Sequence, residues 1–133
     1  MARKEDKREE NERFFDNIRK EEGIKELEEG ILYKVISEGT GNRHPNDNSV
    51  VTVHYRGTLI NGREFDNSRK ELCPAAFRVG TLIDGFRTAL INMRIGDRWI
   101  IYITWKRGYG KRSSGPIPGY STLIFDIELL GIA

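Results

Sequence analysis

The sequence predicts an α+β fold in which an antiparallel sheet wraps over one amphipathic helix. Three observations predict it. Apolar residues alternate with period two in several runs from Ile31 onward, residues 83–94 repeat them at helical spacing, and an Asn61-Gly62 turn signal lies between apolar flanks. A sheet with one apolar face and a helix with one apolar stripe each need a partner layer, and here each supplies the other's.

Taken in order, residues 3–22 read as a charged helix, because they lack Gly, Pro and β-branched runs and are rich in Glu, Lys and Arg. Phe14, Phe15 and Ile18 are its only large apolar side chains. Two readings stay open for it: a solvated helix that frays, or a docking or dimer helix using Phe14 and Ile18. No heptad is sustained, which argues against a coiled coil. Gly23 interrupts the helix, and Ile24 with Leu27 predicts at most one further turn before Gly30. From Ile31 the period is two: Ile31, Tyr33 and Val35 form one strand face, Val51, Val53 and Tyr55 another. Between them, Gly39, Gly41 and residues 45–48 carry loop chemistry. Asn61-Gly62 predicts a type I′ hairpin, with both residues at positive φ. In the helix, Ile83, Phe86, Leu90 and Met93 make one stripe with Ala89, and Gly96-Asp97 ends it. Two more strands alternate from Trp99 and from Leu123. The connection between them, 105–121, is rich in Gly, Pro, Ser and basic residues, and a loop that long in a small domain usually has a task.

The 133 residues suffice for one domain and a tail. Charge is uneven: residues 1–30 hold 8 basic and 11 acidic side chains, net −3, against 14 basic and 9 acidic in the rest, net +5. Cys73 is the single cysteine, so no internal disulfide forms, and it reads as a small apolar residue beside Pro74. No stretch reaches the ~20 apolar residues of a transmembrane helix, and the charged first residues are followed by no apolar h-region. The expectation is a cytoplasmic protein, or a periplasmic or cell-envelope one if a leader has been removed.

Several chemistries drop out. Gly110-Lys111 fails as a phosphate loop, with Trp105 where Gly is needed and Arg112 where Ser or Thr is needed. His44 and His54 have no partner at metal-ligand spacing, and Ser113-Ser114 has no nucleophile-elbow context. Arg94, Arg98, Lys106, Arg107, Lys111 and Arg112 form a late basic cluster, read as a solvated face rather than a nucleic-acid surface because no recognition motif accompanies it. What remains is a spaced set of aromatic and apolar residues with one buried-looking acid: Tyr55, Phe65, Asp66, Ile83, Phe86, Tyr109, Ile117 and Phe125. From the residues alone, ordinary core and a cavity are both open readings. Phe77, Leu90, Trp99, Ile101 and Leu123 are read as core. Asp66 has a second reading too, a loop-capping Asx turn.

The segments Val53-His54-Tyr55-Arg56-Gly57, Glu64 to Arg69, Gly80 to Phe86, Gly108-Tyr109-Gly110 and Thr122 to Leu130, in this order and spacing, closely resemble the FKBP-type peptidyl-prolyl cis/trans isomerases, the macrolide-binding immunophilins. The resemblance runs from about Gly30 to Ala133 and implies a half-barrel of strands around the short helix. It implies a domain over 30–133, preceded by the charged helical extension, 1–29. It implies rotation of X-Pro bonds in a desolvated aromatic pocket, assisting protein folding without a cofactor. Tyr55, Phe65, Asp66, Tyr109 and Phe125 take the catalytic roles, and Leu82, Ile83, Phe86 and Ile117 bind substrate. In those roles the Ile83 N–H and Tyr109 hydroxyl donate to substrate carbonyls, and Asp66, held by Tyr55, sits by the rotating amide. The implied partners are proline-containing polypeptides and macrolides. Phe86 stands where many members have Trp, and Ala75-Ala76 follows Pro74 where an aromatic is common, so one side of the pocket is expected open and macrolide affinity weakened. The alternative is a non-catalytic proline-peptide-binding module or folding chaperone using the same pocket.

Overall fold

The computed structural model describes residues 4–70 and 73–133. The chain order is α1 (Lys4–Arg19), β1 (Lys25–Glu28), β2 (Ile31–Ser37), β3 (Val50–Thr58), β4 (Glu64–Asn67), β5 (Ala75–Arg78), α2 (Asp84–Asn92), β6 (Arg98–Ile103) and β7 (Leu123–Ile132). All seven strands join one antiparallel sheet in the order β1-β2-β6-β7-β3-β4. The strand β5 shares the outer edge of β3 with β4: β4 takes Arg56–Thr58 and β5 takes Val50–Val53. The expected α+β architecture, an antiparallel sheet around a short helix, is the one observed. Among the described residues no helix is long and apolar enough to cross a membrane.

The helix α2 lies on the apolar sheet face. Phe86, Ala89, Leu90 and Met93 are buried there with Val51, Val53, Ile101, Ile103, Leu123, Phe125, Ile127 and Leu129. The period-two runs explain the strands directly, since every second residue of β6 and the first seven of β7 is buried. Arg87 makes a two-pronged ion pair with Asp47 (2.6 and 3.0 Å), tying the helix to the β2–β3 loop. The carboxylate of Asp97, itself buried, accepts the N–H groups of Gly39 (2.7 Å) and Arg94 (2.9 Å), which fixes both ends of that corner.

Three local expectations are corrected. The segment around Ile24 and Leu27 is a strand, not a helical turn: β1 pairs with β2, Lys25 opposite Tyr33 and Glu26 opposite Leu32. Its Lys and Glu favour helix locally, but the unpaired edge of β2 offers hydrogen bonds that override that preference. At the β3–β4 hairpin, Gly62 takes φ 85° but Asn61 does not adopt positive φ. Leu59 N–H bonds Arg63 O and Gly62 N–H bonds Leu59 O, so the connection has three residues, with Gly62 supplying the left-handed step that follows the turn. Cys73, read as a small apolar residue beside Pro74, is a free thiol at an exposed position. The expected start of the first helix at residue 3 lies outside the described residues.

The two readings of α1 are separated by its contacts. Phe15 and Ile18 are buried with Leu32, flanked by Phe14, Ile24 and Tyr102, so the apolar stripe docks on the back of β2 and β6. This cluster is distinct from the main core. Leu90→Ala is therefore expected to lower stability by about 2–5 kcal/mol in urea unfolding, whereas Ile36→Ala, at an exposed site, stays within about 0.5 kcal/mol. Phe15→Ala is expected to fall below the ~3–5 kcal/mol usual for a buried Phe, because its cluster can open without the main core.

Candidate functional site

A register shift builds the site. Thr58 pairs with Glu64 and Gly57 with Asp66, so Phe65 is an extra residue in β4 with no opposite partner. Side chains on a regular strand alternate faces, and the bulge lets neighbours Phe65 and Asp66 both reach the same cavity. Gly57 stands opposite Phe125 on the other side of β3. A Cβ there would lie 2.6 Å from Phe65 Cζ and 2.9 Å from Phe125 Cε1, so the two rings meet only above a residue with no side chain. Their centroids are 5.5 Å apart, edge to face.

Four more contacts complete an aromatic wall. Phe86, in the first turn of α2, lies 4.9 Å from Phe125 and 5.6 Å from Tyr55, both edge-on. Phe77 of β5 lies 5.7 Å from Tyr55 and 6.5 Å from Phe86. Edge-to-face rings at these separations attract beyond simple burial, and being rigid they hold a cavity open. That cavity has a volume of about 350 Å³. All nine residues singled out in the sequence line it: Tyr55, Phe65, Asp66, Leu82, Ile83, Phe86, Tyr109, Ile117 and Phe125.

Sequence reasoning missed four lining residues. Phe77, read as core, packs against the core and also closes the side beside β5, so the gap expected at Ala75-Ala76 is narrower than the sequence suggests. Ser114, Gly115 and Pro116 complete the far rim, where Ser114 and Ile117 bond each other's backbone at 2.8 and 2.9 Å. Lys111 and Arg112 do not line it. The signal for Phe77 was present, since it is apolar two residues before Val79, but strand phase alone does not say which apolar face meets a cavity.

The polar groups are few. The Tyr55 hydroxyl donates to Asp66 Oδ2, and Asn67 N–H donates to Asp66 Oδ1 at 3.0 Å. Asp66 is exposed, a correction to its buried appearance in the sequence: it stands at the mouth, with one oxygen held by the wall. The Asx-type turn belongs to its neighbour, Asn67 Oδ1 accepting Arg69 N–H at 2.9 Å. Burial pushes the Tyr55 phenol far up, with the Asp66 hydrogen bond and charge adding to it. Partial burial at the rim, then the Asp66 charge, raises Tyr109. Both phenols therefore remain protonated donors at neutral pH. The Ile83 N–H, just ahead of α2, has no protein acceptor among the described residues.

Other titratable groups point elsewhere. His54 alternates with Tyr55 along β3, and its Nδ1 lies 3.3 Å from Ser68 Oγ, outside the cavity. His44 Nδ1 lies 2.9 Å from Met93 O. Among the described residues no three His, Cys, Asp or Glu side chains converge on a metal position. The basic cluster is partly neutralised: Arg98 pairs with Asp126 (2.8 Å), and Arg107 with Glu28 (2.8 Å) and Asp84. The cavity thus offers apolar walls, the Tyr109 phenol and the Ile83 N–H as donors, and one carboxylate held by the Tyr55 hydroxyl.

The sequence and the fold have known counterparts. The sequence model of a family described as FKBP-type peptidyl-prolyl cis-trans isomerase matches residues 41–130. The chain is 39% identical over 119 residues to the FKBP-type peptidyl-prolyl cis-trans isomerase FkpA of Escherichia coli strain K12, covering 90% of this chain and 44% of that protein. It is 40% identical over 120 residues to the outer membrane protein MIP of Legionella longbeachae, covering 90% and 51%. The chain thus spans about half the length of these curated relatives. The crystal structure of E. coli FkpA superposes with a TM-score of 0.91 at 37% identity, covering 96% of this chain and 60% of that one. A peptidyl-prolyl cis-trans isomerase structure from Pseudomonas syringae gives 0.90 at 33%, covering 100% and 98%. With a family match over residues 41–130 and relatives about 40% identical over most of the chain, the chain belongs to the FKBP-type peptidyl-prolyl cis-trans isomerase family.

Proposed function

We propose that this chain is a peptidyl-prolyl cis/trans isomerase that turns X-Pro bonds in protein chains, and that the domain over 30–133 carries the chemistry. The observation that supports it best is a proline-scale aromatic cavity without a nucleophile and base pair. Rotating an X-Pro amide crosses a barrier of ~18–20 kcal/mol, because the planar amide is resonance-stabilised and water favours its charge-separated form. Phe65, Phe86 and Phe125 surround the proline ring and exclude that water. In the twisted transition state the nitrogen is no longer conjugated, so an apolar site favours it over the planar ground state.

The polar groups then hold the chain on either side of the bond. The Ile83 N–H and the Tyr109 hydroxyl donate to substrate carbonyls, with Leu82 and Ile117 at the edges. Asp66, fixed by Tyr55, faces the amide as its carbonyl turns. Macrolides enter the same pocket with weakened affinity, since Ala75 and Ala76 supply no ring beside Phe77 and Phe86 lacks an indole N–H. Association of two copies through α1 would need residues other than Phe15 and Ile18, which are buried within one chain.

A short X-Pro peptide with an apolar residue before proline is expected to isomerise much faster with the protein than its uncatalysed time of roughly tens of seconds. Equal rates would sink the reading. Asp66→Leu is expected to lower kcat/KM about tenfold, or ~1.4 kcal/mol, with a smaller change in affinity for an unreactive proline peptide and little change in Tm. A non-catalytic binding module would show the affinity without the turnover.

The lining holds no His, Cys, Lys or Arg. Both phenols have pKa values raised above the usual tyrosine value, so their donor form is complete below that value and is lost only as pH rises through the raised one. Turnover is therefore expected to be flat from about pH 6 to 9. A bell-shaped profile centred near neutrality would indicate a titrating group outside this set.

A further inference from the structure

The segment that roofs the pocket is anchored from behind by an element outside the matched family region. The connection 105–121 carries Tyr109 and the rim residues 114–117, and both its roots touch α1. At the first root, Trp105 Nε1 donates to Glu12 Oε1 at 3.2 Å. At the second, Asn11 Oδ1 accepts Thr122 N–H at 2.8 Å and Thr122 Oγ1 donates to the Asn11 carbonyl at 3.1 Å. Arg8 spans the two roots: its guanidinium lies 5.2 Å from the Trp105 ring and 5.4 Å from the Tyr120 ring, while its Nε bonds Glu12 at 2.9 Å.

These bonds are not peripheral decoration of a charged helix. Asn11 and Thr122 are buried, at 8% and 1% exposure, although they lie 111 residues apart in sequence. Tyr120 is the one described non-glycine residue with positive φ, 61°. A side chain in that region is strained and persists only where its surroundings impose it. Arg8 and the Trp105 ring, 4.9 Å away edge-on, are those surroundings. From Tyr120 the path into the pocket is short: its N–H bonds Gly110 O at 2.9 Å, and Gly110 N–H bonds Trp105 O at 2.9 Å, next to Tyr109.

We propose that α1 is the positioning element of the pocket loop, with Asn11, Glu12 and Arg8 setting where Tyr109 and residues 114–117 stand for substrate. This rests on the reading of the cavity as the proline site. These three residues touch no substrate; they act through Trp105, Tyr120 and Thr122. The consequence is a binding effect, because the apolar walls built by β3, β4, β7 and α2 do not depend on α1.

The test uses the full chain with Asn11→Ala, Asn11→Asp and Glu12→Ala. Alanine is a better helix former than asparagine, so α1 persists in Asn11→Ala. KM for a short X-Pro peptide is expected to rise about fivefold with kcat within about twofold. Amide hydrogen exchange at Gly110 and Tyr120 should quicken while Val53 and Ile127 stay protected. Asn11→Asp, which again offers an oxygen to Thr122 N–H, should recover most of the KM. Combining Asn11→Ala with Tyr109→Phe should give less than the product of the two effects. An unchanged KM, faster exchange spread evenly over the sheet, or no recovery in Asn11→Asp would overturn the proposal. Should Asn11→Ala fail to fold, Glu12→Ala, at a partly exposed site, is expected to move KM and the two loop amides in the same direction, and no movement there overturns it equally. A wild-type chain without catalysis would end the isomerase reading alone, since affinity for an unreactive proline peptide and the exchange pattern still report on α1.

Discussion

The cavity depends on a steric vacancy at Gly57, where three strands would otherwise place a side chain between two phenyl rings. Phe125 approaches that position from β7 and Phe65 from β4, and neither ring could reach its present place over a Cβ less than 3 Å away. The bulge at Phe65 is the complementary half of the same constraint. It turns one residue out of register, so that a wall residue and an acid from adjacent sequence positions reach one concave surface. Phe86 and Tyr55 then pack edge-on against rings whose places are already fixed.

Around that rigid floor the polar rim is built from weaker and more distant supports. Tyr55 is a wall residue whose hydroxyl also restrains the acid at the mouth, so one side chain joins the packed interior to the wet edge. Tyr109 and residues 114–117 belong to a long connection with little regular structure of its own. Such a segment keeps its shape only through contacts with better-ordered neighbours, here Arg107 toward Asp84 and Glu28, and α1 toward Trp105 and Thr122. The contrast assigns shape to the sheet and helix, and adaptability to the loop.

Strong periodicity made most of the fold legible: β2, β3, β6, β7 and α2 all follow from where apolar residues recur. What stayed hidden was set by pairing rather than by composition. Lys25 to Glu28 carry helix-favouring residues, and only the free edge of β2 makes them a strand. Ala75 to Arg78 are too short and too poor in β-branched residues to announce β5, so Phe77 was legible as core but not also as a cavity wall. The nine residues that line the cavity were legible through the order of their segments, which the resemblance made specific. Their mutual geometry was not, because a one-residue bulge leaves no mark in hydropathy. The burial of Phe15 and Ile18 was one of two open readings, since a lone apolar stripe does not name its partner.

The character of β1 bears on how such a protein meets unfolded chains. A sheet that does not close leaves backbone N–H and C=O groups free along its borders, and an extended polypeptide can add itself there as another strand. One border is Lys-Glu-Leu-Glu, irregular between Glu26 and Glu28, and the other is divided between β4 and β5, each four residues long. Charge, brevity and broken register each discourage strand addition and the aggregation that follows from it. An isomerase working on exposed proline segments would thus offer its clients a concave hydrophobic seat while denying them a template for sticking.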